Sequence, residues 1–322
     1  MPSGRMPTME LRRIAEGVYA WLQPDRGWGW SNAGWVPRGG GLVVDTLMDV
    51  PHTRRMLEAF AEVGPSPPRR LVNTHHNPDH CWGNQCLAGA EILGHRFCAE
   101  AMTEDMRPDA AAALLARPDL PPGLRWFADD VRDFDFTGIE LTPPNRIVED
   151  EGLVLDLDGH PARLLYVGPA HTGGDLVVHL PDEGVVFAGD VLFRRCTPIG
   201  WEGTTERWCR ALEEIAALAP AVIVPGHGPP CGPEGALEMR DYLRYVFDEA
   251  RSFFARELPP LEAAKRIDLG PYAHWTEPER LVFNVERVYR ELRGGDWRES
   301  ADVPATLDAA VALRRYWEGA AE

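Results

Sequence analysis

The chain has 322 residues, 44% hydrophobic and 26% charged, and 33 Lys and Arg against 50 Asp and Glu give a net charge of −17. That balance is typical of a folded globular protein and excludes disorder over most of the chain. No window nears the roughly 18 consecutive apolar residues of a membrane helix, and the acidic surplus argues against nucleic acid, which needs a basic face.

The length predicts about two domains, or one layered domain with an appendage. The 31 Gly and 29 Pro point to many ordered loops. Six cysteines (81, 86, 98, 196, 209 and 231) lack paired metal or C-x-x-C spacing. Met1–Arg13 has arginines but no following apolar run, so no signal peptide is expected. The expectation is a cytoplasmic protein with no membrane partner and with reduced cysteines packed as small apolar side chains.

In chain order, residues 1–9 read as a disordered leader. Short apolar runs then predict strands at 17–23, 30–37 and 41–46, the last ending in an aspartate. Helical spacing at 52–63 (Met56, Leu57, Phe60, Val63) is followed by a strand at 69–74. An Ala-rich helical insert runs from about 97 to 133. Strands resume at 139–141, 153–157, 162–167, 175–180 and 184–188. An amphipathic helix at 204–218 carries Trp208, Leu212 and Ile215 on one face, and 221–224 is a last strand. Beyond 233 the chain reads as helix, with a long segment at 236–254 and a capping box, Thr276 to Glu279, before Leu281. The order predicts an α+β fold, two mixed sheets packed together with helices outside, spanning 10–232 and followed by a helical extension at 233–322.

The chemistry concentrates at strand ends. The chain has 10 histidines, and three of them crowd into His75-His76-Asn77-Pro78-Asp79-His80, directly after a strand. In an extended run His75, Asn77 and Asp79 share one side and His76 takes the other. The cluster reads as a metal site, the alternative being a polar surface loop. His171 lies in Gly168-Pro-Ala-His-Thr-Gly-Gly-Asp175, Asp190 in Ala188-Gly-Asp190, and His227 in Pro225-Gly-His-Gly228. Each follows or ends an apolar strand, where layered folds commonly place sites.

Thr74-His75-His76-Asn77-Pro78-Asp79-His80, His171-Thr172-Gly173-Gly174, Gly189-Asp190 and Gly226-His227-Gly228 together resemble the metallo-β-lactamase superfamily, whose signature is T-H-x-H-x-D-H, then a histidine in G-H-T-x-G, an aspartate in G-D and a late G-H-G. The resemblance covers roughly residues 10–232 and implies a four-layer αββα sandwich with a binuclear site at one edge. It assigns Asp79, His80 and His227 to one metal and His75 and His171 to the other, with Asp190 bridging. Asn77 departs from the motif: it stands where the family has its second histidine, and an amide oxygen is a poorer zinc donor than imidazole. One or two zinc ions per chain are expected, with iron or manganese as the alternatives.

The resemblance implies metal-assisted hydrolysis, in which an activated water attacks a polarised carbonyl, with Asp79 as the catalytic residue. The expected reaction is cleavage of an ester, thioester, lactone or lactam bond in a small, fairly apolar molecule. Trp28 and Trp30, in a Gly-rich early hairpin, are expected at the substrate, Trp28 through a mobile turn, while Trp35 reads as core. Phe193, Arg194 and Trp201 are further substrate candidates; the other reading of Arg194 and Arg195 is solvated surface charge. Rival readings are a polyketide cyclase or thioesterase of the same fold, an iron-dependent oxidoreductase using His75, His171 and Asp190, and a binding protein without catalysis.

Overall fold

A computed structural model describes residues 9–24, 26–65, 67–104 and 107–320. The leader expected at 1–9 lies, through residue 8, outside the described residues. Twelve strands among them form two sheets. The first sheet runs β1 (Glu10–Ala15), β2 (Val18–Leu22), β3 (Ala33–Val36), β4 (Leu42–Val44), β5 (Arg70–Val72), β6 (Glu91–His95) and β7 (Arg146–Val148) in spatial order. Neighbours are antiparallel as far as β4 and parallel from β4 to β7. The second sheet is ordered β12 (Val222–His227), β11 (Val185–Phe193), β10 (Leu176–Leu180), β9 (His160–Tyr166) and β8 (Leu153–Leu157). Only its β11–β12 pair is parallel.

Residue pattern accounts for these strands. On the edge strand β8, Leu155 and Leu157 are buried while Val154 and Asp156 face water, the alternation of a one-sided strand. β10, apolar except for His179, is buried along its whole length, as a strand covered on both faces requires. Side chains of both sheets, among them Val36, Val44, Leu93, Leu164, Val178 and Phe187, fill the space between them. The contact is close: a Cβ on Gly34 of β3 would stand 2.5 Å from the Phe187 ring of β11.

Helices cover the outer faces. Helix α1 (Val50–Ala61) starts at Asp49, whose carboxylate accepts from the His52 N–H, and has Pro51 in its first turn. It lays Met56 and Phe60 over Trp35 and Leu71. A four-residue helix, α2 (Pro78–Cys81), follows β5. The insert contributes α3 (Arg96–Glu104), α4 (Pro108–Leu115) and α5 (Pro122–Asp130). On the second sheet α6 (Thr205–Ala217), capped by the Thr204 hydroxyl, buries Trp208, Leu212 and Ile215. Then come α7 (Pro233–Phe254), α8 (Pro260–Ala264), α9 (Leu281–Leu292) and α10 (Val303–Ala320). The result is the expected four-layer αββα arrangement with a C-terminal helical extension.

Several local expectations are corrected. Residues 139–141 form no strand; β7 closes the sheet further on, where Asn145 accepts the Ile92 N–H and pins the chain beside β6. The stretch Thr276 to Glu279 forms no capping box. Thr276 makes a bridge with Cys196 instead, and a 3-10 turn at Pro278–Arg280 leads into α9. Asp190 lies inside β11, at a register shift, rather than beyond its end. Strands β1 and β6 were not legible. No disulfide forms among the described residues, and four of the six cysteines are buried. No helix among the described residues is long and apolar enough to cross a membrane.

The insert and the extension meet at Gly123. Its N–H donates to the Asp308 carboxylate at 2.7 Å, and an added Cβ would overlap the backbone of Leu307 and Asp308. Gly123→Ala should therefore lower stability by about 1–3 kcal/mol, the usual cost of overpacking, measured by denaturant unfolding. Unchanged stability would show that α5 and α10 do not pack this closely.

Candidate metal centre

Each motif residue reaches the centre by a different backbone device. The chain leaves β5 at Val72 and bends at Thr74 and His75. Pro78 then opens α2, its fixed φ suited to a first helical position, so Asp79 and His80 arrive on a helical turn. The alternation expected across 75–79 is therefore not formed: a bend at its start and the helical turn from Pro78 replace the extended run. His171 sits in the β9–β10 connection, Asp190 at the β11 irregularity and His227 at the last residue of β12. Gly189 and Gly226 make room: a Cβ on the first would overlap Thr74, and one on the second would overlap Asp190.

Two groups of donor atoms converge, His75–His171–Asp190 and Asp79–His80–His227, each with its atoms within 4.8 Å of one another. Asp190 lies between them, with Oδ2 3.4 Å from His171 Nε2 and 3.3 Å from His227 Nε2. Asp79 Oδ2 is 3.3 Å from His227 Nε2 and 3.7 Å from His80 Nε2.

All four imidazoles are anchored through Nδ1. His80 Nδ1 lies 2.9 Å from Asp45 Oδ2, His171 Nδ1 2.7 Å from the Ile199 carbonyl, and His227 Nδ1 3.0 Å from the Trp30 carbonyl. His75 Nδ1 meets the Thr74 hydroxyl at 3.0 Å, and that hydroxyl donates onward to Asp45. These partners fix Nδ1 as the donor, so each neutral ring turns the lone pair of Nε2 inward. A neutral His80 would thus face Asp190 Oδ1 at 3.1 Å acceptor against acceptor, a conflict that a proton or a metal removes. His75 Nε2 has no hydrogen-bond partner among the described residues. Inward lone pairs around two carboxylates are what a metal site requires, and the residues fit.

Electrostatics agree. Burial and the neighbouring His80 push His75 well below its ordinary value, and burial pushes His171 down to about 4. Burial alone would also lower His80 and His227. The carboxylates of Asp190 and Asp79 overcome it, holding His80 well above its ordinary value and lifting His227 to about 10. Burial opposes ionisation of the carboxylates, yet His227 and His80 keep Asp190 well below the usual carboxylate range and hold Asp79 below it too. In the metal-free protein, protons on His80 and His227 balance the two carboxylates.

Residues 26–227 match the family model described as the metallo-beta-lactamase superfamily. The chain belongs to that superfamily. It is similar to a linear primary-alkylsulfatase of Pseudomonas sp. (strain ATCC 19151), 24% identical over 308 residues that cover 85% of this chain and 58% of that protein. It is also similar to a hydroxyacylglutathione hydrolase of Maricaulis maris (strain MCS10), 27% identical over 214 residues, 66% of this chain and 59% of that one. Among solved structures, the sec-alkylsulfatase Pisa1 from Pseudomonas sp. superposes with a TM-score of 0.64 at 18% identity, over 88% of this chain and 50% of that chain. The chain thus spans well under two thirds of the length of each.

The metal centre of this superfamily member floors a cavity of about 350 Å³. Trp28, Phe193 and Trp201 line it, with His76 and Asn77 beside the donors. Phe193 stacks on His227 at 5.0 Å. Trp28 is no mobile flap: it is 8% exposed and packs against Trp126, Phe127, Trp201 and Phe283, with the Arg280 guanidinium over its ring. Trp30 and Arg194 are not part of the lining. Trp30 packs on Phe134 and His52, because Gly29, with a left-handed φ of 84°, turns the chain between the two tryptophans. Arg194 pairs with Glu238 of α7.

Sequence reasoning missed Asp45 and Asp175. Asp45 accepts from Thr74 N–H, Thr74 Oγ1 and His80 Nδ1, and adopts a left-handed φ of 63°. Asp175 accepts from the backbone N–H groups of Ala170, His171 and Thr172 and fixes the His171 turn. An aspartate ending an apolar strand, the signal used for Asp190, was available for Asp45. Asp175 stood in the quoted Gly-rich turn.

Two outcomes follow. Asp45→Asn should lower zinc affinity about 10–100-fold, as loss of a ligand-orienting partner does; competition with a chromogenic chelator reads it, and unchanged affinity would remove Asp45 from the centre. Metal needs neutral imidazole, so binding at pH 7 should release protons and affinity should rise with pH. Calorimetry in buffers of differing ionisation enthalpy checks this, and identical heats in all buffers would show that no proton leaves.

Proposed function

We propose that the chain is a metal-dependent hydrolase that cleaves an ester, thioester, lactone or lactam bond in a small, carbon-rich molecule. The observation that carries the reading is the cavity above the donors. Its walls come from three parts of the chain: Trp28, Met48 and Trp82 of the sandwich, Leu114, Leu124 and Phe127 of the insert, and Val303 and Leu307 of α10. A pocket walled mainly by apolar side chains suits a substrate with a carbon-rich body and one reactive polar group.

When bound, a metal there would supply Lewis acidity and lower the pKa of its water to about 7. Zinc suits imidazole and carboxylate donors; iron and manganese are the alternatives. Asp79 is ionised, borders the cavity and touches His227, which places it to take a proton from attacking water. The apolar walls exclude bulk water and hold the substrate against the floor.

An alkyl sulfate is the second reading, favoured by the 85% coverage of the alkylsulfatase match, which reaches past residue 227. Against it, Arg280 is the one Lys or Arg among the described lining residues, and its guanidinium is paired with Glu277 at 2.5 Å. The wall therefore favours a neutral acyl group over an anionic ester. An iron oxidoreductase would use only His75, His171 and Asp190, and would leave the adjoining Asp79–His80–His227 group without a role.

The test is a series of p-nitrophenyl esters, with p-nitrophenyl sulfate and primary alkyl sulfates run in parallel. Each methylene buried contributes about 0.8 kcal/mol, so kcat/KM should rise about fourfold per acyl carbon until the cavity fills. Leu124→Arg should flatten the series. Turnover of the sulfates alone would select the second reading, and a rate independent of chain length would show that the cavity does not take the substrate body.

A further inference from the structure

Asn77 is the N-cap residue of α2, with φ −61° and ψ 145°, and N-cap asparagine normally accepts from the first helical N–H groups. Here its side chain caps nothing. It reaches instead to His171, with Oδ1 2.7 Å from Nε2. On the far side of that ring Nδ1 is held by the Ile199 carbonyl, an acceptor only. In the neutral ring Nδ1 therefore carries the hydrogen and Nε2 the lone pair, the one that His171 would give to a metal.

An amide oxygen at 2.7 Å from that lone pair sets acceptor against acceptor. Without a cation between them, the favourable arrangement is the amide turned by 180°, with its NH₂ donating to Nε2. The hydrogen bond then occupies the coordinating lone pair of His171. Among the described residues no amide reaches a coordinating nitrogen of the other group: His80 is oriented by Asp45, His227 by the Trp30 carbonyl, and their Nε2 atoms face carboxylates that would share the metal replacing their protons.

We propose that the centre is asymmetric: Asp79, His80 and His227 hold one metal tightly, while Asn77 competes with metal for His171 and keeps the His75–His171–Asp190 group a weak, readily exchanged site. The proposal rests on the reading of the chain as a metal enzyme, so its test measures metal and not turnover.

Metal-stripped protein would be titrated with zinc by calorimetry, with bound metal counted by elemental analysis after dialysis. Wild type should retain about one zinc per chain and bind a second at least about tenfold more weakly, the scale on which partners of a ligand act. Asn77→His should retain close to two. Asn77→Ala separates competitor from ligand. It removes the hydrogen bond and adds no donor, so second-site affinity should hold or rise while the tight site is unchanged. Two equal sites in wild type, or a weakened second site in Asn77→Ala, would overturn the proposal. In either case the chain would still be a metal protein, whereas failure of wild type to bind any zinc would overturn both readings.

Discussion

Two buried carboxylates with four imidazole lone pairs turned toward them cannot be left as they stand. Asp190 is 4% exposed and lies within 3.1–3.7 Å of the Nε2 atoms of His75, His80, His171 and His227. In a medium of low polarity a cation has to sit among them, either as protons on histidines or as metal. The surroundings serve that requirement. Asp45 clamps Thr74 and His80 together, Asp175 folds the His171 turn, and Asn32 ties the early hairpin to the Pro225 and Gly228 carbonyls on either side of His227. The packed sheets hold these turns in register, so the rigidity of the sandwich is what keeps the lone pairs convergent.

The metal-ligating residues were legible because their chemistry is local. Imidazoles and carboxylates bunched at strand ends announce a site before anything is folded. What the sequence hid was of two kinds. Asp45 acts on residues 29 and 35 positions away, and the Trp30 carbonyl on His227, 197 positions away; such partners exist only once the strands are in register. The second kind is direction. Trp28 and Trp30 look alike in a Gly-rich hairpin, yet one lines the cavity and the other packs on Phe134, and Arg194 was indistinguishable from a substrate-facing arginine until α7 supplied Glu238.

Fold class was legible for the same reason that some element boundaries were not. Apolar-rich runs mark β8 and β10, and the strand–helix order leaves few architectures. β1 is different: Leu11, Arg12 and Arg13 carry no strong pattern, and the strand exists because β2 offers it a paired edge. α10 carries apolar residues on an Ala-rich background and gains its place by packing on α5 and α9.

Helices that line a cavity and helices that fill a core share one sequence signature, an apolar face, and this is where patterning gives out. Leu124 and Phe127 of the insert and Leu307 of the extension turn apolar side chains inward as any core helix would, but the space between them is open. The chemistry is thus built by the sandwich, from groups whose geometry tolerates little change. The chamber above it is walled in part by two helical additions that touch at Gly123 and Asp308. Substitutions in those additions can reshape the chamber without moving a metal ligand. Selectivity for the carbon skeleton is therefore free to vary while the bond-breaking floor stays fixed, a division that follows from which parts of the chain must be rigid and which need only be apolar.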